Sequence, residues 1–280
     1  MDSLVSTEWL ANEMAANDLR IVDASYHLPA AGRDALAEYE ACHIPGAVFM
    51  NLAELVDENA PVENTMPGPE KFASRMQALG LGDGSRIVLY DNSDIKTSAR
   101  AWFMLRMFGA QYVALLDGGM KKWLAEGRTT ATGTETLRKR HFTAWSDDSR
   151  LRSKENVLAN IARGGEQVLD ARSAARFSGA EADPRPGIAA GRIPGALNLP
   201  FGHLFNADGT WKDKAGLRAA FEAAGIDLSR PVVTSCGSGV TACVLAFGMH
   251  LLGKEDVALY DGSWTEWGAD PATPKSVGAA

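Results

Sequence analysis

Hydrophobic and polar positions alternate along this chain in two kinds of block. Short runs dominated by β-branched and other apolar residues cover 20–24, 87–90, 112–116, 167–171, 232–235 and 257–260. Such runs, bounded by Gly and Asp, predict short buried strands. Between them lie longer segments with helical patterning at 69–79, 97–108, 214–224 and 240–252. Strands that alternate with helices predict an α/β fold, a mostly parallel sheet flanked by helices.

The pattern also repeats. Ile21-Val22-Asp23-Ala24 matches Val168-Leu169-Asp170-Ala171. His43-Ile44-Pro45-Gly46-Ala47 matches Arg192-Ile193-Pro194-Gly195-Ala196. Leu116-Asp117-Gly118-Gly119, with Trp123 beyond, matches Tyr260-Asp261-Gly262-Ser263, with Trp267 beyond. The blocks keep their order at offsets between 144 and 149 residues. A period of that size is a duplicated domain rather than a solenoid. The expected organisation is therefore one domain over 1–127, a linker over 128–150 and a second domain over 151–280. The linker assignment rests on a polar, Thr-rich and charged stretch with no match in the other half.

The halves differ where ligands of open α/β sheets bind, beyond the carboxyl ends of the strands. The first half has Asp91-Asn92-Ser93-Asp94 after its central strand, and the second has Cys236-Gly237-Ser238-Gly239-Val240-Thr241. A single cysteine thus stands on a Gly-rich turn ahead of a helix. Backbone N–H groups and a helix N-terminus at such a place stabilise a thiolate and its sulfur-bearing derivatives. A carboxylate cannot act as a sulfur nucleophile, so only the second half is expected to be catalytic. Cys243 falls inside an apolar helix and reads as core, and Cys42 reads as mainly structural.

Composition narrows the classes. Hydrophobic residues are 46% and charged residues 22%, a balance that fills ordinary globular cores. The formal charge is −7 without a standout basic block, which argues against nucleic acid as a partner. No apolar run approaches the roughly 18 residues of a membrane span. The first residues show no basic segment leading into an apolar core, so no secretory signal is expected. Three cysteines without a CxxC pair argue against a disulfide framework and a structural zinc site. The expected setting is the cytoplasm, with no cofactor and no metal.

The paired blocks and the loop from Cys236 to Thr241 together resemble tandem-domain sulfurtransferases of the rhodanese family, over most of the chain. The loop is similar to the mercaptopyruvate branch. Thiosulfate-preferring members carry basic residues where Gly237 and Ser238 stand here. The resemblance implies two rhodanese-like domains, the N-terminal one non-catalytic and the C-terminal one carrying a Cys236 persulfide. It implies donor contacts from the loop residues Gly237, Gly239, Val240 and Thr241. It also implies that Arg176 and Arg185, which flank a Gly/Pro-rich insert, hold the donor's carboxylate and carbonyl. Arginine suits this because its planar fork pairs with a carboxylate through two bonds. Ser238 is implied to act in a proton relay with an Asp and a His of the first half, matched here by Asp34 and His43.

Other readings remain distinct in what they require. A Cys-x5-Arg phosphatase needs an arginine six residues past the cysteine, where Ala242 stands. A non-catalytic docking module does not need the full loop. Thiosulfate as donor favours cations in the loop itself. The acceptor stays open among small thiols, cyanide and thioredoxin.

Overall fold

In the computed structural model, which describes residues 1–278, the chain folds into two compact units. Among the described residues the first comprises 1–56, 66–147 and 205–211, and the second 57–65, 148–204 and 212–278.

The first unit runs β1 (Leu4–Val5), α1 (Thr7–Glu13), β2 (Leu19–Asp23), α2 (Ala35–Ala41), β3 (Ala47–Phe49), α3 (Pro69–Ala78), β4 (Arg86–Tyr90), α4 (Ser98–Met107), β5 (Val113–Leu116) and α5 (Gly119–Ala125). The second repeats this as β6 (Leu151–Arg152), α6 (Lys154–Arg163), β7 (Gln167–Asp170), α7 (Ala174–Ser178), β8 (Leu197–Asn198), α8 (Lys214–Ala223), β9 (Val232–Ser235), α9 (Ala242–Leu251), β10 (Val257–Tyr260) and α10 (Ser263–Ala269). Each sheet has five strands, ordered β1-β5-β4-β2-β3 and β6-β10-β9-β7-β8, and every strand pair is parallel. The α/β expectation is met in both halves.

Burial on both faces explains the strand composition. β5, β9 and β10 are buried at every residue, so they read as continuous apolar runs instead of alternating ones. The helices behind the central strands are equally dry: α9 is buried from Ala242 to Met249 and α4 from Ser98 to Leu105. The paired tryptophans of the repeat, Trp123 and Trp267, are core residues at 2% and 0% exposure.

The repeated Ile-Pro-Gly-Ala block is a turn that launches an edge strand. Ala47 N–H donates to Ile44 O at 3.0 Å and Ala196 N–H to Ile193 O at 3.1 Å. Gly46 and Gly195 have φ of +77° and +78°. Pro followed by a left-handed Gly is the requirement of a type II turn. The isoleucine before the proline is buried in each copy, which anchors the turn.

The stretch 128–150 is more than a tether, because up to residue 147 it packs along the first unit. Ala131 and His43 exchange backbone hydrogen bonds at 2.9 and 2.8 Å. Phe142, 3% exposed, meets Phe72 edge-on at 5.8 Å. Its polar composition hides this role, since many of the anchors are hydrogen bonds, such as Thr143 N–H and hydroxyl to Asp83, each at 2.8 Å. No helix among the described residues is long and apolar enough to cross a membrane.

Candidate active site

β9 lies inside its sheet between β10 and β7, and Cys236 is the first residue beyond its carboxyl end. The thiol residue is 2% exposed. Its backbone is fixed from both sides. Cys236 N–H donates to Ser263 Oγ at 3.2 Å, and Trp264 N–H donates to Cys236 O at 3.0 Å. Gly237 O then accepts from Thr265 N–H at 2.9 Å and from the Thr265 hydroxyl at 2.6 Å. The first turn of α10 therefore clamps the start of the loop.

Ser263 does this from an unfavourable backbone. Its φ is +49°, a region that costs a residue with a Cβ free energy and persists where surroundings enforce it. The side chain is fully buried and its hydroxyl donates to Tyr260 O at 2.8 Å. The matching position in the first unit is Gly119, φ +55°, where an added Cβ would stand 2.6 Å from Asp91 O. Sequence reasoning did not single out Ser263. The signal was present: within an otherwise repeated block, glycine becomes serine in the same half in which aspartate becomes cysteine.

Beyond the cysteine the loop turns through Gly239, φ +78°, into Thr241, the residue just ahead of α9. Val240 is buried, and Cys243 Sγ lies 3.3 Å from Gly239 O, a core thiol facing the back of the loop. Thr97, at the matching place ahead of α4, has the same φ and ψ as Thr241, −72° and −17°. The first unit shows what such a loop does with an anion. Asp91 stands where Cys236 does, and its carboxylate accepts from Ser93 N–H at 3.0 Å and from Ser98 N–H at 2.8 Å. Ser98 is the first residue of its helix. An anion at this position is thus held by a loop amide and a helix N-terminus. In the second unit a cysteine replaces the carboxylate.

Arg176 and Arg185 both reach this loop. A Cβ added to Gly237 would lie 3.3 Å from Arg185 Nη2 and 3.4 Å from Arg176 Nη2. Glycine here leaves room for two guanidinium groups from outside the loop. Arg185 Nη1 donates to Gly237 O at 3.1 Å and also to the Thr265 hydroxyl. Between the arginines sits Asp183, its side chain 1% exposed. Arg176 Nη2 meets Asp183 Oδ2 at 2.6 Å, and Arg185 Nε and Nη2 meet Oδ1 and Oδ2, each at 2.8 Å. Burial pushes the Asp183 carboxyl up, but hydrogen bonds from Arg185 and Arg176 outweigh it and hold it at about 2. Asp183 and Thr265 are the other participants that sequence reasoning passed over.

The remaining second-half arginines do other work. Arg172 forms a buried pair with Asp170 at 2.7 Å and lies 4.4 Å from the Trp264 ring centroid. Arg192 donates to Gly278 O at 2.7 Å and covers Phe177. Ser238, two residues past the nucleophile, is half-buried. In the first unit, Asp34 is exposed and caps α2, accepting from Leu36 and Ala37 N–H at 3.0 and 3.1 Å. His43 follows the other end of that helix, about 10 Å along by the helical rise of seven residues. It is fully buried and stacked on Tyr39 at 4.3 Å, with Nδ1 2.8 Å from Tyr39 O. Its Nε2 is buried without a partner among the described residues. Asp34 and His43 are not hydrogen-bonded to each other. Among the described residues no cluster of His, Cys, Asp and Glu is arranged to hold a metal ion.

The rhodanese-like domain model matches residues 6–126 and again 153–270. The chain belongs to the rhodanese-like family. It is 40% identical over 271 residues to the 3-mercaptopyruvate sulfurtransferase of Homo sapiens, covering 95% of this chain and 91% of that one. It is 38% identical over 272 residues to the thiosulfate sulfurtransferase of Bos taurus, again 95% and 91% of the two chains. Among solved structures it is similar to SseA from Escherichia coli, described as a 3-mercaptopyruvate sulfotransferase with the rhodanese fold. That match has a TM-score of 0.86 at 34% identity, over 94% of this chain and 99% of the other. The tandem organisation read from the repeat is therefore that of two rhodanese-like domains.

Proposed function

We propose that this rhodanese-like protein transfers sulfur from 3-mercaptopyruvate to a thiol or cyanide by way of a persulfide on Cys236. The observation that carries the reading is the convergence of Arg176 and Arg185 on Gly237, one residue from the cysteine. A donor with a carboxylate next to a ketone needs such a pair of planar donors.

The Cys236 thiolate attacks the sulfur of 3-mercaptopyruvate. A sulfur–sulfur bond forms, the donor's carbon–sulfur bond breaks, and its electron pair leaves as the pyruvate enolate. Protonation of the enolate carbon releases pyruvate. An acceptor thiolate or cyanide then takes the outer sulfur, and the Cys236 thiolate is regenerated. Two half-reactions through a covalent intermediate give ping-pong kinetics. The Asp91 carboxylate, held by amides at the matching place in the first unit, is the support for anion binding at the Cys236 loop. Gly237, Gly239, Val240 and Thr241 shape that loop around the donor.

Ser238, two residues past Cys236 on the same loop, is the proton donor of this reading. The relay implied by family resemblance adds His43 and Asp34. Support for His43 is its unpartnered Nε2, whereas the Asp34 carboxylate is engaged in capping α2. The acceptor is a small thiol, cyanide or a protein dithiol such as thioredoxin, and nucleic acid and membranes have no part. Three free cysteines fit a reducing compartment, and the cytoplasm is the location we propose. Comparing kcat/KM for 3-mercaptopyruvate and thiosulfate tests the donor. A clear preference for 3-mercaptopyruvate is expected, and a preference for thiosulfate would overturn the assignment.

A further inference from the structure

The chemistry above uses two guanidinium groups and leaves out the carboxylate between them. The Asp183 side chain is 1% exposed, and it touches both arginines with three hydrogen bonds of 2.6 to 2.8 Å. Its Oδ1 also accepts the backbone N–H of Arg185 at 3.1 Å, which fixes the turn that delivers that arginine. A carboxylate removed from water needs compensating cations, and here two surround one anion. The nearby Arg172 is already matched to Asp170. The cluster over Gly237 therefore carries one net positive charge, not two.

The first unit provides the contrast. Arg33 spans both oxygens of Glu38 at 2.7 Å and donates to Asn92 O at 3.0 Å. Asn92 follows Asp91 as Gly237 follows Cys236. The same contact to the loop carbonyl is thus made there by one guanidinium, paired with Glu38 and with Asp94 at 3.8 Å. In the second unit an additional guanidinium arrives, and its Nε is buried without a partner among the described residues. The Arg176 side chain as a whole is 23% exposed, so its guanidinium can be reached from solvent by an anion.

From this we infer that Asp183 is a specificity-determining positioning residue. It holds Arg176 and Arg185 side by side over Gly237 and cancels one of their charges, so that the site suits a monoanionic keto acid and disfavours a dianion. The inference rests on the sulfur-transfer reading of the loop. 3-Mercaptopyruvate presents a single carboxylate at neutral pH, whereas thiosulfate carries two negative charges. Specificity then comes partly from what the site withholds.

The test is the ratio of kcat/KM for thiosulfate to that for 3-mercaptopyruvate, measured in wild type, Asp183→Asn, Asp183→Ser and Asp183→Glu. Removing the charge is expected to raise the ratio by about tenfold or more, through a lower KM for the dianion and a higher KM for the keto acid. Asp183→Glu restores the ratio toward wild type. A ratio that stays fixed while both donors decline together would overturn the inference, since that is the mark of a structural role. Two neutral variants keep the comparison available if one does not fold. The readings separate cleanly. Wild-type protein that forms no persulfide from either donor defeats the sulfur-transfer reading. Wild-type protein that forms it, with an unmoved ratio in both neutral variants, defeats only the role of Asp183.

Discussion

Ser263 accepts the backbone N–H of Cys236 at 3.2 Å while its own φ is +49°. The nucleophile is thus held by a residue that bears backbone strain, in a fold whose other copy has a glycine at that place. Ser263→Ala keeps the strain and leaves the buried Cys236 N–H without its partner. It is expected to cost about 1–3 kcal/mol of stability in denaturant unfolding. Ser263→Gly relieves the backbone and should recover part of that loss. Both variants should form the persulfide more slowly than wild type in single-turnover measurements. A wild-type rate in Ser263→Ala would remove the residue from the positioning of the nucleophile.

The two arginines are not equivalent. Arg185 bonds Gly237 O, Thr265 and Asp183, whereas the partners of Arg176 at the site come down to Asp183. Arg185→Ala therefore loosens the loop itself and should lower transfer from both donors. Arg176→Ala should weaken use of 3-mercaptopyruvate far more than use of thiosulfate, mostly through KM. Steady-state kinetics with both donors checks this, and equal losses in Arg176→Ala would take the carboxylate contact away from it.

Acid should loosen the same cluster. The Asp183 carboxyl is held at about 2, below its ordinary value of 3.8. A depressed native value contributes stability that is present above the unfolded value and is lost as pH falls through the native one. Wild type should thus exceed Asp183→Asn in stability at pH 5 and above. The difference should shrink between about pH 4 and pH 2, where both side chains become neutral. Denaturant midpoints across that range measure it. A difference that does not depend on pH would contradict the ion-pair account.

His43 is placed first of all by packing. It is buried, stacked on Tyr39, and bonded to Tyr39 O. His43→Ala should cost about 2–4 kcal/mol in denaturant unfolding, the range for truncating a buried side chain. The relay reading adds that kcat per folded molecule also falls. An unchanged kcat would confine His43 to the core of the first unit.

Much of this was legible in the chain itself. The central strands 232–235 and 257–260 lie where the apolar runs placed them, and the loop from Cys236 to Thr241 follows β9 as expected. Arg176 and Arg185 were singled out by family resemblance, not by any pattern of their own, and both guanidinium groups lie close to Gly237. Other features have no period to betray them. β1, β6 and β8 are two residues long, too short for alternation to register. Helix α9 begins at Ala242 and not at 240, because the left-handed Gly239 leaves the next two residues in a turn. It is buried all round, so no amphipathic stripe marks its edge. Asp183 lies in irregular sequence, and its importance is visible only once both guanidinium groups surround it. Ser263 needed its φ, which composition does not reveal.

The most direct test of the account is the intact mass of the protein after exposure to 3-mercaptopyruvate, in wild type and Cys236→Ala. Wild type should gain one sulfur atom, with release of pyruvate, and lose it on addition of a thiol or cyanide. The Cys236→Ala protein should remain folded and gain nothing. No mass gain in wild type, or a gain that persists without Cys236, would contradict a persulfide at the end of β9.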